Sequence, residues 1–331
     1  MSDSGKPRRA LGLCSGGLDS MLAGLLLRAQ GIEVEWVCFE TPFFDSRKAR
    51  RAARQTGIPL TVLPITARFL PLLRNPPAGY GKRMNPCMDC HSLMFRIAGE
   101  LLRERGFDFL FSGEVLGQRP MSQTLPSLRY VEKHSGMGGL ILRPLSAKLL
   151  PETIPEQRGW VDRERLLAIR GRGRKEQIAL ARTFGIEDYP APAGGCLLTD
   201  KGYSARLRDL FAHGAACTEA ELQLLKFGRH FRLHAGAKLL VGRTEKENEA
   251  ILRFRDPTRE VTLDVRDYPS PIGLLQGSAD PETVLRAAAI CLGYTRAPRS
   301  REAAVVVTFP SGREEIYATP LPPEDSRAWL L

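Results

Sequence analysis

The sequence predicts an α/β domain with a doubly wound parallel sheet, followed by a C-terminal α+β region. In the first half of the chain, short apolar segments alternate with amphipathic segments of about 10 to 15 residues, which is typical of parallel strands covered by helices on both faces. A segment rich in Pro and Gly at 189–195 interrupts this pattern, and shorter, alternating segments follow it. We therefore expect a first domain over residues 1–186 and the α+β region over residues 187–331.

The expected elements follow from continuous apolar runs and from helical periodicity. In the first domain the predicted strands are 11–14, 34–39, 60–63 and 107–111, and the predicted helices are 18–29, 45–55 and 91–105. A loop interrupted by prolines is expected over 71–86. The second region is expected to contain helices 205–212, 219–227 and 281–291 and strands 231–233, 238–241, 261–265, 303–309 and 314–318. Ser311-Gly312 is the predicted hairpin turn between the last two strands.

Composition and charge indicate a folded protein with a polyanionic partner. The 331 residues exceed what one small core needs, and hydrophobic (43%) and charged (26%) residues occur in ordinary proportions. No apolar run reaches about 18 residues and the N-terminus is polar and basic, so we expect a cytoplasmic protein without a membrane span. Seven cysteines in that reducing compartment do not indicate a disulfide framework. The net charge of +11 favours a partner rich in phosphate, such as RNA.

The segment SGGLDS lies where the first predicted strand gives way to the first predicted helix. Gly16 and Gly17 let the backbone approach phosphate oxygens at a helix N-terminus, and Ser15 and Ser20 add hydroxyl donors. Asp19 is placed to hold a Mg²⁺ ion that bridges phosphates. The segment lacks the Gly-Lys-Ser/Thr ending of a Walker loop. It resembles the signature of the PP-loop ATP pyrophosphatases, which cleave ATP to AMP and pyrophosphate.

A second loop follows the predicted strand 107–111 at its carboxyl end, where open α/β sheets bind ligands. It contains the segments SGEVLGQ and SQT, and RPL follows further along the chain. In this run the sequence resembles the 4-thiouridine synthase family of tRNA-modifying PP-loop enzymes, in which similar segments occur in the same order. The resemblance implies that Gly113, Gln118 and Gln123 lie near the nucleotide or the target base, and that Arg143 lies near phosphate.

The resemblance covers roughly residues 9–200 and implies ATP and Mg²⁺ as cofactors and tRNA as the substrate. The synthases carry an RNA-binding domain ahead of the PP-loop, whereas eight residues precede this region here, so we expect any RNA-binding addition after the catalytic domain. The segments HFRL, GAKLLVGR and EN in the second region faintly resemble an RNA-associated domain of ribosome quality-control proteins. A structural appendage is the alternative for that region.

Three cysteines are candidates for sulfur or metal chemistry. Cys87 and Cys90 form a C-x-x-C segment at the start of a helix, which lowers a thiol pKa, and Cys196 follows two glycines suited to a tight turn. Thiouridylases in general resemble this layout. The remaining cysteines are Cys14, Cys38, Cys217 and Cys291, and we expect them to be chemically inert. Cys14 is the possible exception, because it adjoins the phosphate loop.

Three chemistries remain open for these thiols. In the first, Cys87, Cys90 and Cys196 hold a 4Fe–4S cluster with one open iron. In the second, one cysteine carries a persulfide and a partner cysteine releases it. In the third, His91 completes a structural zinc site, although a helix would direct it about 100° away from Cys90. Sulfide or a cysteine desulfurase is the expected sulfur donor.

Two clusters of basic residues are candidates for contacts with the tRNA backbone. The first lies in the predicted helix 45–55 and contains Arg47, Lys48, Arg50, Arg51 and Arg54. The second contains Arg170, Arg172, Arg174 and Lys175. A solvated surface is the alternative for both clusters.

The leading hypothesis is ATP-dependent thiolation of a tRNA uridine, with Asp19, Cys87, Cys90 and Cys196 as the catalytic residues. The uridine carbonyl oxygen would attack the α-phosphate of ATP, and sulfur from the cysteine centre would displace AMP. One alternative is a sulfur transferase or AMP-forming ligase acting on a small molecule. Another is a non-catalytic RNA-binding protein with a relic loop, against which the intact Asp19 argues. A homodimer is left open.

Overall fold

The structure is a computed structural model that describes residues 6–191, 196–214 and 217–331. The chain divides into two compact units, Met1–Thr199 and Asp200–Leu331. No helix in the described part of the chain is both long and apolar enough to cross a lipid bilayer.

The first unit is built on a parallel sheet of five strands in the order β3-β2-β1-β4-β5. The strands are β1 (Arg9–Leu13), β2 (Glu33–Glu40), β3 (Leu60–Pro64), β4 (Phe109–Ser112) and β5 (Ile141–Leu142). The helices are α1 (Leu18–Arg28), α2 (Arg47–Thr56), α3 (Thr66–Arg74), α4 (Cys87–Arg105), α5 (Leu125–Ser135), α6 (Ile154–Gln157) and α7 (Lys175–Thr183). The predicted parallel α/β architecture is confirmed.

The core of this unit lies between the sheet and α1, which is apolar on almost every side and therefore buried. Trp36 of β2 and Phe109 and Phe111 of β4 are at most 1% exposed and supply its largest side chains. Gly12 in β1 leaves room for Phe111, because a Cβ atom at Gly12 would lie 2.2 Å from the Phe111 ring. Burial of these aromatic surfaces fixes β1 and β4 side by side, and with them the loops that leave their carboxyl ends.

The second unit contains an antiparallel sheet of six strands in the order β11-β10-β8-β9-β7-β6. The strands are β6 (Arg229–His234), β7 (Ala237–Val241), β8 (Val261–Val265), β9 (Gly273–Gly277), β10 (Ala303–Phe309) and β11 (Gly312–Ala318). The helices are α8 (Lys201–His213), α9 (Glu219–Leu224), α10 (Glu245–Phe254) and α11 (Pro281–Gly293). α11 packs on one face of the sheet, and side chains of α9 and α10 form a smaller cluster with Leu240 and Leu274. Most of β11, at one edge of the sheet, is exposed.

Several local expectations differ from the structure. The predicted loop 71–86 contains the end of α3, and α4 begins at Cys87 rather than at residue 91. The following elements have no counterpart among the predicted ones: helices α3, α5, α6, α7 and α10 and strands β5 and β9. The units divide after Thr199 rather than after residue 186. The segment 196–199 belongs to the first unit because Leu197 donates to the Phe43 carbonyl (3.1 Å) and Met84 donates to the Leu198 carbonyl (3.2 Å).

Candidate active site

The phosphate loop lies at the point where the strand order reverses. β1 pairs with β2 on one side and with β4 on the other, so the loops that follow β1 and β4 leave the sheet next to each other. Open α/β sheets bind ligands in the crevice at such a switch point. Residues 15–20 occupy the β1 side of this crevice, and residues 113–118 occupy the β4 side.

The backbone of the phosphate loop requires its glycines. Gly16 has a φ of +72°, and a Cβ atom there would lie 2.1 Å from the carbonyl carbon of Lys48 in α2. Gly17 is the N-cap of α1 and gives it no side-chain cap, so amide groups of the first turn remain available to phosphate oxygens. The Gly17 carbonyl accepts hydrogen bonds from the backbone amide (3.1 Å) and the hydroxyl (2.8 Å) of Ser20. The loop is thus closed by its own hydrogen bonds, and its remaining backbone amides can bind an anion.

Asp19 points into the crevice with one carboxylate oxygen unsatisfied. Its Oδ2 accepts a hydrogen bond from the Gln118 amide (3.0 Å), whereas Oδ1 is buried and has no hydrogen-bond partner among the described residues. Burial raises the pKa of Asp19, and Gln118, Arg174 and Arg119 counteract part of this effect. A buried, unpaired carboxylate oxygen is costly, and a divalent cation is a ligand that would satisfy it.

The β4 loop packs directly on the phosphate loop. A Cβ atom at Gly113 would lie 2.4 Å from the backbone of Asp19, so only glycine allows this approach. The next residue, Glu114, is buried, and its carboxylate accepts hydrogen bonds from Arg143 Nε (3.0 Å) and Ser112 Oγ (3.1 Å) and pairs with His91 Nδ1 (2.8 Å). Burial alone would raise the pKa of Glu114, but Arg143 and His91 lower it to about 2.

Arg143 does not face the phosphate loop as an unpaired cation. Its guanidinium is 3% exposed and is held by the carboxylates of Glu114 and Glu132, while Nη2 is buried without a partner in the described part of the chain. Two carboxylates thus already compensate this charge, and the phosphate contact that the family resemblance implies for Arg143 stays a prediction. Gln123 is also buried, and its backbone joins the loop through hydrogen bonds with Gly117 (2.7 Å) and Arg119 (2.9 Å).

The three candidate cysteines lie close enough to repel one another as thiolates. Burial raises the pKa of Cys90 well above its usual value, and Cys196 and Cys87 raise it further. Burial likewise raises the pKa of Cys196 to about 12, with Cys87 adding to the effect. The expectation that the helix start lowers the pKa is wrong for Cys90, because burial and neighbouring sulfur atoms outweigh the helix dipole.

Hydrogen bonds hold two of these sulfur atoms in place. Asn85 Nδ2 donates to Cys87 Sγ (3.2 Å), and the Leu198 amide donates to Cys196 Sγ (3.4 Å). His91 bonds Glu114 through Nδ1. Within residues 6–191, 196–214 and 217–331, no three His, Cys, Asp or Glu side chains are arranged so that they could hold a metal ion. The two glycines before Cys196 lie outside the described residues.

A continuous set of contacts links the thiols to the phosphate loop. His91 follows Cys90 in α4 and pairs with Glu114, and Glu114 follows Gly113, which touches Asp19. The cysteine segment and the nucleotide crevice are therefore parts of one region of the first unit. The cysteines at 14, 38 and 291 are buried, and burial raises their pKa to about 11, about 12 and about 12.

Three residues near Asp19 were not predicted as nucleotide ligands. Arg119 and Arg174 lie close enough to lower the Asp19 pKa. Gln177, in the first turn of α7, is fully buried, and neither of its amide atoms has a hydrogen-bond partner among the described residues. Gln177 also lowers the Asp19 pKa slightly, although its geometry falls short of a hydrogen bond. The signal in the sequence is the basic segment around Arg174, for which the sequence predicts a tRNA contact or a solvated surface.

The basic helix α2 lies against the phosphate loop, since Lys48 provides the backbone that Gly16 approaches. All five basic side chains of α2 are exposed. Arg47 pairs with Asp45 (2.7 Å), and Arg51 pairs with Asp188. Arg50 donates to the Ser46 hydroxyl (2.9 Å), and Lys48, Arg50 and Arg54 have no ion-pair partner in the described residues.

Comparisons with known proteins agree with the geometry. Residues 5–149 match the family model described as thiamine biosynthesis protein (ThiI), and residues 228–330 match the NFACT protein RNA binding domain. A probable tRNA sulfurtransferase of Oceanobacillus iheyensis is 29% identical over 150 residues, covering 43% of this chain and 36% of that protein. One of Listeria innocua is 30% identical over 152 residues, covering 43% and 36%. The chain thus spans little more than a third of the length of these relatives.

Similar solved structures include a predicted subunit of tRNA methyltransferase from Methanocaldococcus jannaschii. It has a TM-score of 0.32 and 15% identity, covering 41% of this chain and 67% of that one. The C-terminal part of the fibronectin/fibrinogen-binding protein from Streptococcus suis has a TM-score of 0.28 and 13% identity, covering 74% and 90%. The loop geometry and the family matches agree: residues 5–149 are similar to the ThiI family, and residues 228–330 are similar to the NFACT RNA-binding domain.

Proposed function

We propose that this protein is an ATP-dependent tRNA sulfurtransferase that adenylates a uridine carbonyl and replaces its oxygen with sulfur. The observation that carries the proposal is the closed glycine loop at the strand switch point, with the unsatisfied Oδ1 of Asp19 beside it. A cytoplasmic location suits this activity, because ATP and tRNA are both present there.

The phosphate loop would bind the phosphates of ATP. Amide groups at the start of α1 and the Ser15 hydroxyl would be the donors, since the Ser20 hydroxyl already donates to the Gly17 carbonyl. Asp19 would hold Mg²⁺ through the oxygen that lacks a partner among the described residues. Arg119 and Arg174 add positive charge on the same side of Asp19. The magnesium ion would offset charge on the phosphates when bound.

Two displacements complete the proposed reaction. The uridine carbonyl oxygen attacks the α-phosphorus of ATP, and the bond from this phosphorus to the oxygen shared with the β-phosphate breaks, releasing pyrophosphate. A sulfur nucleophile then adds to the activated carbon of the base, and AMP leaves with the original oxygen. Positioning and electrostatic stabilisation are the main contributions that the protein makes to such a phosphoryl transfer.

Cys87, Cys90 and Cys196 would supply the sulfur. The three thiols lie near one another, and this proximity supports the proposal that they hold a 4Fe–4S cluster. Their arrangement in the described part of the chain does not form a metal site, so cluster binding would require a change in the positions of these thiols. A persulfide on one cysteine, transferred from the persulfide of a cysteine desulfurase, is the alternative, whereas sulfide is the donor for the cluster route.

The proposed tRNA path includes the uncompensated cations of α2 and the exposed residues Arg170 and Arg172. Their positive charge would neutralise phosphates and release counterions. The match of residues 228–330 to an RNA-binding domain supports an RNA substrate over a small molecule.

A reconstituted reaction tests the proposal. Purified protein is mixed with unmodified tRNA, ATP, Mg²⁺ and sulfide under anaerobic conditions, and AMP and the tRNA nucleosides are measured by chromatography and mass spectrometry. We expect one AMP for each thiolated uridine. AMP formation that needs no tRNA and leaves the nucleosides unchanged would instead indicate a small-molecule acceptor, and a lack of ATP turnover in the presence of tRNA would indicate a non-catalytic RNA-binding protein.

A further inference from the structure

A cavity of about 270 Å³ lies between α3, α4 and α5 in the first unit. A water molecule occupies about 30 Å³ in the liquid, so this cavity has room for a planar ring of the size of a nucleobase. Apolar side chains form part of its walls, among them Leu72, Pro77 and Leu93. Its rim is open to solvent, because Arg96 and His134 line it and are exposed.

One wall of the cavity is a pair of stacked aromatic rings. Tyr130 and His134 lie one turn apart on α5, with ring centroids 3.8 Å apart and ring planes inclined by 21°. His134 Nδ1 donates to the Tyr130 carbonyl (2.8 Å), and this bond fixes the His134 ring. Each ring of a stacked pair leaves one face free, so a third planar ring can extend the stack.

A buried carboxylate holds this wall in position. Asp89 is 4% exposed, and its Oδ1 accepts a hydrogen bond from the Tyr130 hydroxyl (2.7 Å). Its Oδ2 accepts a hydrogen bond from the Ala78 amide (2.9 Å). Asp89 thus joins α5 and the loop before α4 to the first turn of α4. Since the Tyr130 ring is already fixed, it loses little side-chain entropy when a ligand stacks on it.

The charges around the cavity are balanced. Arg68 donates two hydrogen bonds to Glu100 (2.6 and 2.8 Å). Arg96 and Asp89 contribute one charge of each sign. The cavity therefore has no excess of positive charge for a phosphate group, and an uncharged ring fits it better. Arg96 Nη2 donates to the His134 carbonyl (2.8 Å), and the guanidinium has further N–H groups for acceptor atoms on the edge of such a ring.

The cavity adjoins the helical turn that carries two of the candidate thiols. Asp89 lies between Cys87 and Cys90 in the first turn of α4, and Ser92 and Leu93 line the cavity from the next turn. Successive side chains of a helix differ in direction by about 100°, so Asp89 and Cys90 lie on different sides of the same turn. An RNA strand that brings a uridine to the thiols can therefore place a neighbouring base in the cavity.

We propose that this cavity binds an unpaired base of the RNA substrate, close in sequence to the uridine that is modified. Unpaired bases are free to stack on aromatic side chains, whereas the bases of a duplex are stacked on each other. The identity of the RNA rests on the proposed function. The cavity would make the first unit selective for uridines in unpaired or distorted regions of that RNA.

Binding of a short RNA to the full chain tests the cavity. A labelled, uridine-rich single strand and the same strand annealed to its complement are compared at high salt, where phosphate contacts elsewhere on the protein contribute little. We expect His134→Ala to bind the single strand about tenfold more weakly, as is typical of one lost stacking contact, and to bind the duplex as the wild type does. The salt slope should not change, because no phosphate contact is lost. Lys133→Ala is the matched control, since Lys133 is an exposed neighbour on α5 that does not line the cavity.

His134→Phe keeps a planar ring and should retain most of the affinity, which separates stacking from other effects of the substitution. A single strand that contains 5-bromouridine provides a local readout, because it should form a photocrosslink to the peptide that contains α5. Equal affinities of the wild type and His134→Ala together with no crosslink in α5 would overturn the proposal. An equal weakening of duplex binding, or an equal loss in Lys133→Ala, would also overturn it.

These measurements need neither ATP nor sulfur, so their outcome is separate from that of the thiolation assay. An RNA strand that stacks in the cavity and is never thiolated would reject the proposed reaction and leave the base site in place. Thiolation that proceeds equally well in the wild type and His134→Ala, with equal RNA affinities, would reject the base site alone.

Discussion

Asp19 is a residue whose chemical environment is unfavourable in the absence of a ligand. Burial raises its pKa, and one of its carboxylate oxygens has no partner in the described structure. Active sites commonly sacrifice stability in this way, because groups that must bind a charged ligand cannot be neutralised by the protein itself. For a carboxylate with a raised pKa, the ionised form is the costly one, and the cost is present at neutral pH.

We therefore predict opposite effects of Asp19→Asn on stability and activity. The neutral amide removes the cost of the buried charge, so the Tm at pH 7 should be equal to or higher than that of the wild type. AMP formation should fall by about 100-fold or more, because the proposed magnesium ligand is lost. Calorimetry and an AMP assay measure the two quantities. A variant that is less stable and remains fully active would contradict the assignment.

Glu114 differs from Asp19 in that its ionised form is the stable one, because Arg143 and His91 stabilise its negative charge. Its pKa of about 2 lies below the ordinary value of 4.5, so its contribution to stability is complete above about pH 4.5 and is lost as the pH falls toward about 2. We expect Glu114→Gln to destabilise the first unit by about 3 to 5 kcal/mol at pH 7, since it leaves Arg143 buried with one carboxylate fewer.

The difference in unfolding free energy between wild type and Glu114→Gln should shrink as the pH is lowered from 4.5 to 2. Chemical denaturation at a series of pH values measures this difference. Glu164→Gln is the matched control, because Glu164 forms its salt bridge with Lys148 at a site where its own side chain is 87% exposed; its effect should stay below about 1 kcal/mol at every pH. A pH-independent difference for Glu114→Gln would show that the network does not depend on the charge of this residue.

At the scale of single elements, α2 combines two roles. Its first turn supplies the backbone against which Gly16 packs, and its outer face carries five exposed basic side chains. The charges on that face are not equivalent. Arg47 and Arg51 have carboxylate partners, whereas no ion pair involves Lys48 or Arg54 in the part of the chain that the structure describes. Cations without partners are the ones that gain most from contact with phosphate.

We predict that the double variant Lys48→Gln/Arg54→Gln weakens tRNA binding and lowers the salt slope of the binding constant by roughly 2, because two phosphate contacts are lost. The control is Arg47→Gln/Arg51→Gln, which removes the same charge from the same helix but takes it from paired residues, so its effect should be clearly smaller. Filter binding at several salt concentrations measures both. Equal effects of the two double variants would mean that the helix acts only through its net charge.

The sequence could predict the elements whose signal is contiguous. The six residues SGGLDS predict the phosphate loop, and the apolar runs around Trp36 and Phe109 predict parallel strands. It could not predict the contributions of Arg174 and Gln177 to that loop, because α7 reaches α1 only through the tertiary fold. The ion pairs of Arg143 could not be predicted for a similar reason, since its two carboxylate partners lie on other parts of the chain. The helix α10 was missed although Thr244 provides a side-chain cap for it.

At the scale of the whole molecule, the proposed thiolation requires a carrier for sulfur, and three cysteines are the candidates. We predict that protein purified without oxygen contains about four irons per chain, bound by Cys87, Cys90 and Cys196, because a C-x-x-C segment with one distant cysteine leaves one iron of a 4Fe–4S cluster open. Serine at any of these three positions should remove both iron and thiolation.

Cys217→Ser and Cys291→Ser are the controls for iron binding, and neither should change the iron content. Iron analysis and the visible absorption spectrum provide the measurement, with the thiouridine content of tRNA as a second readout. Colourless, iron-free protein that still thiolates tRNA from a persulfide donor would reject the cluster and favour the persulfide route. Loss of activity in Cys291→Ser would indicate that a buried thiol, and not the proposed centre, is essential.

The exposed edge strand of the second unit has a consequence for how the molecule behaves at high concentration. β11 carries Arg313, Glu314 and Glu315 in succession, and Glu315 is bonded to Arg266 (2.6 Å) and Tyr317 (2.9 Å). An unpaired strand edge invites strands from other molecules, and a row of charges with both signs makes such pairing unfavourable. The charged side chains of this edge strand therefore protect the protein against assembly into extended, amyloid-like sheets.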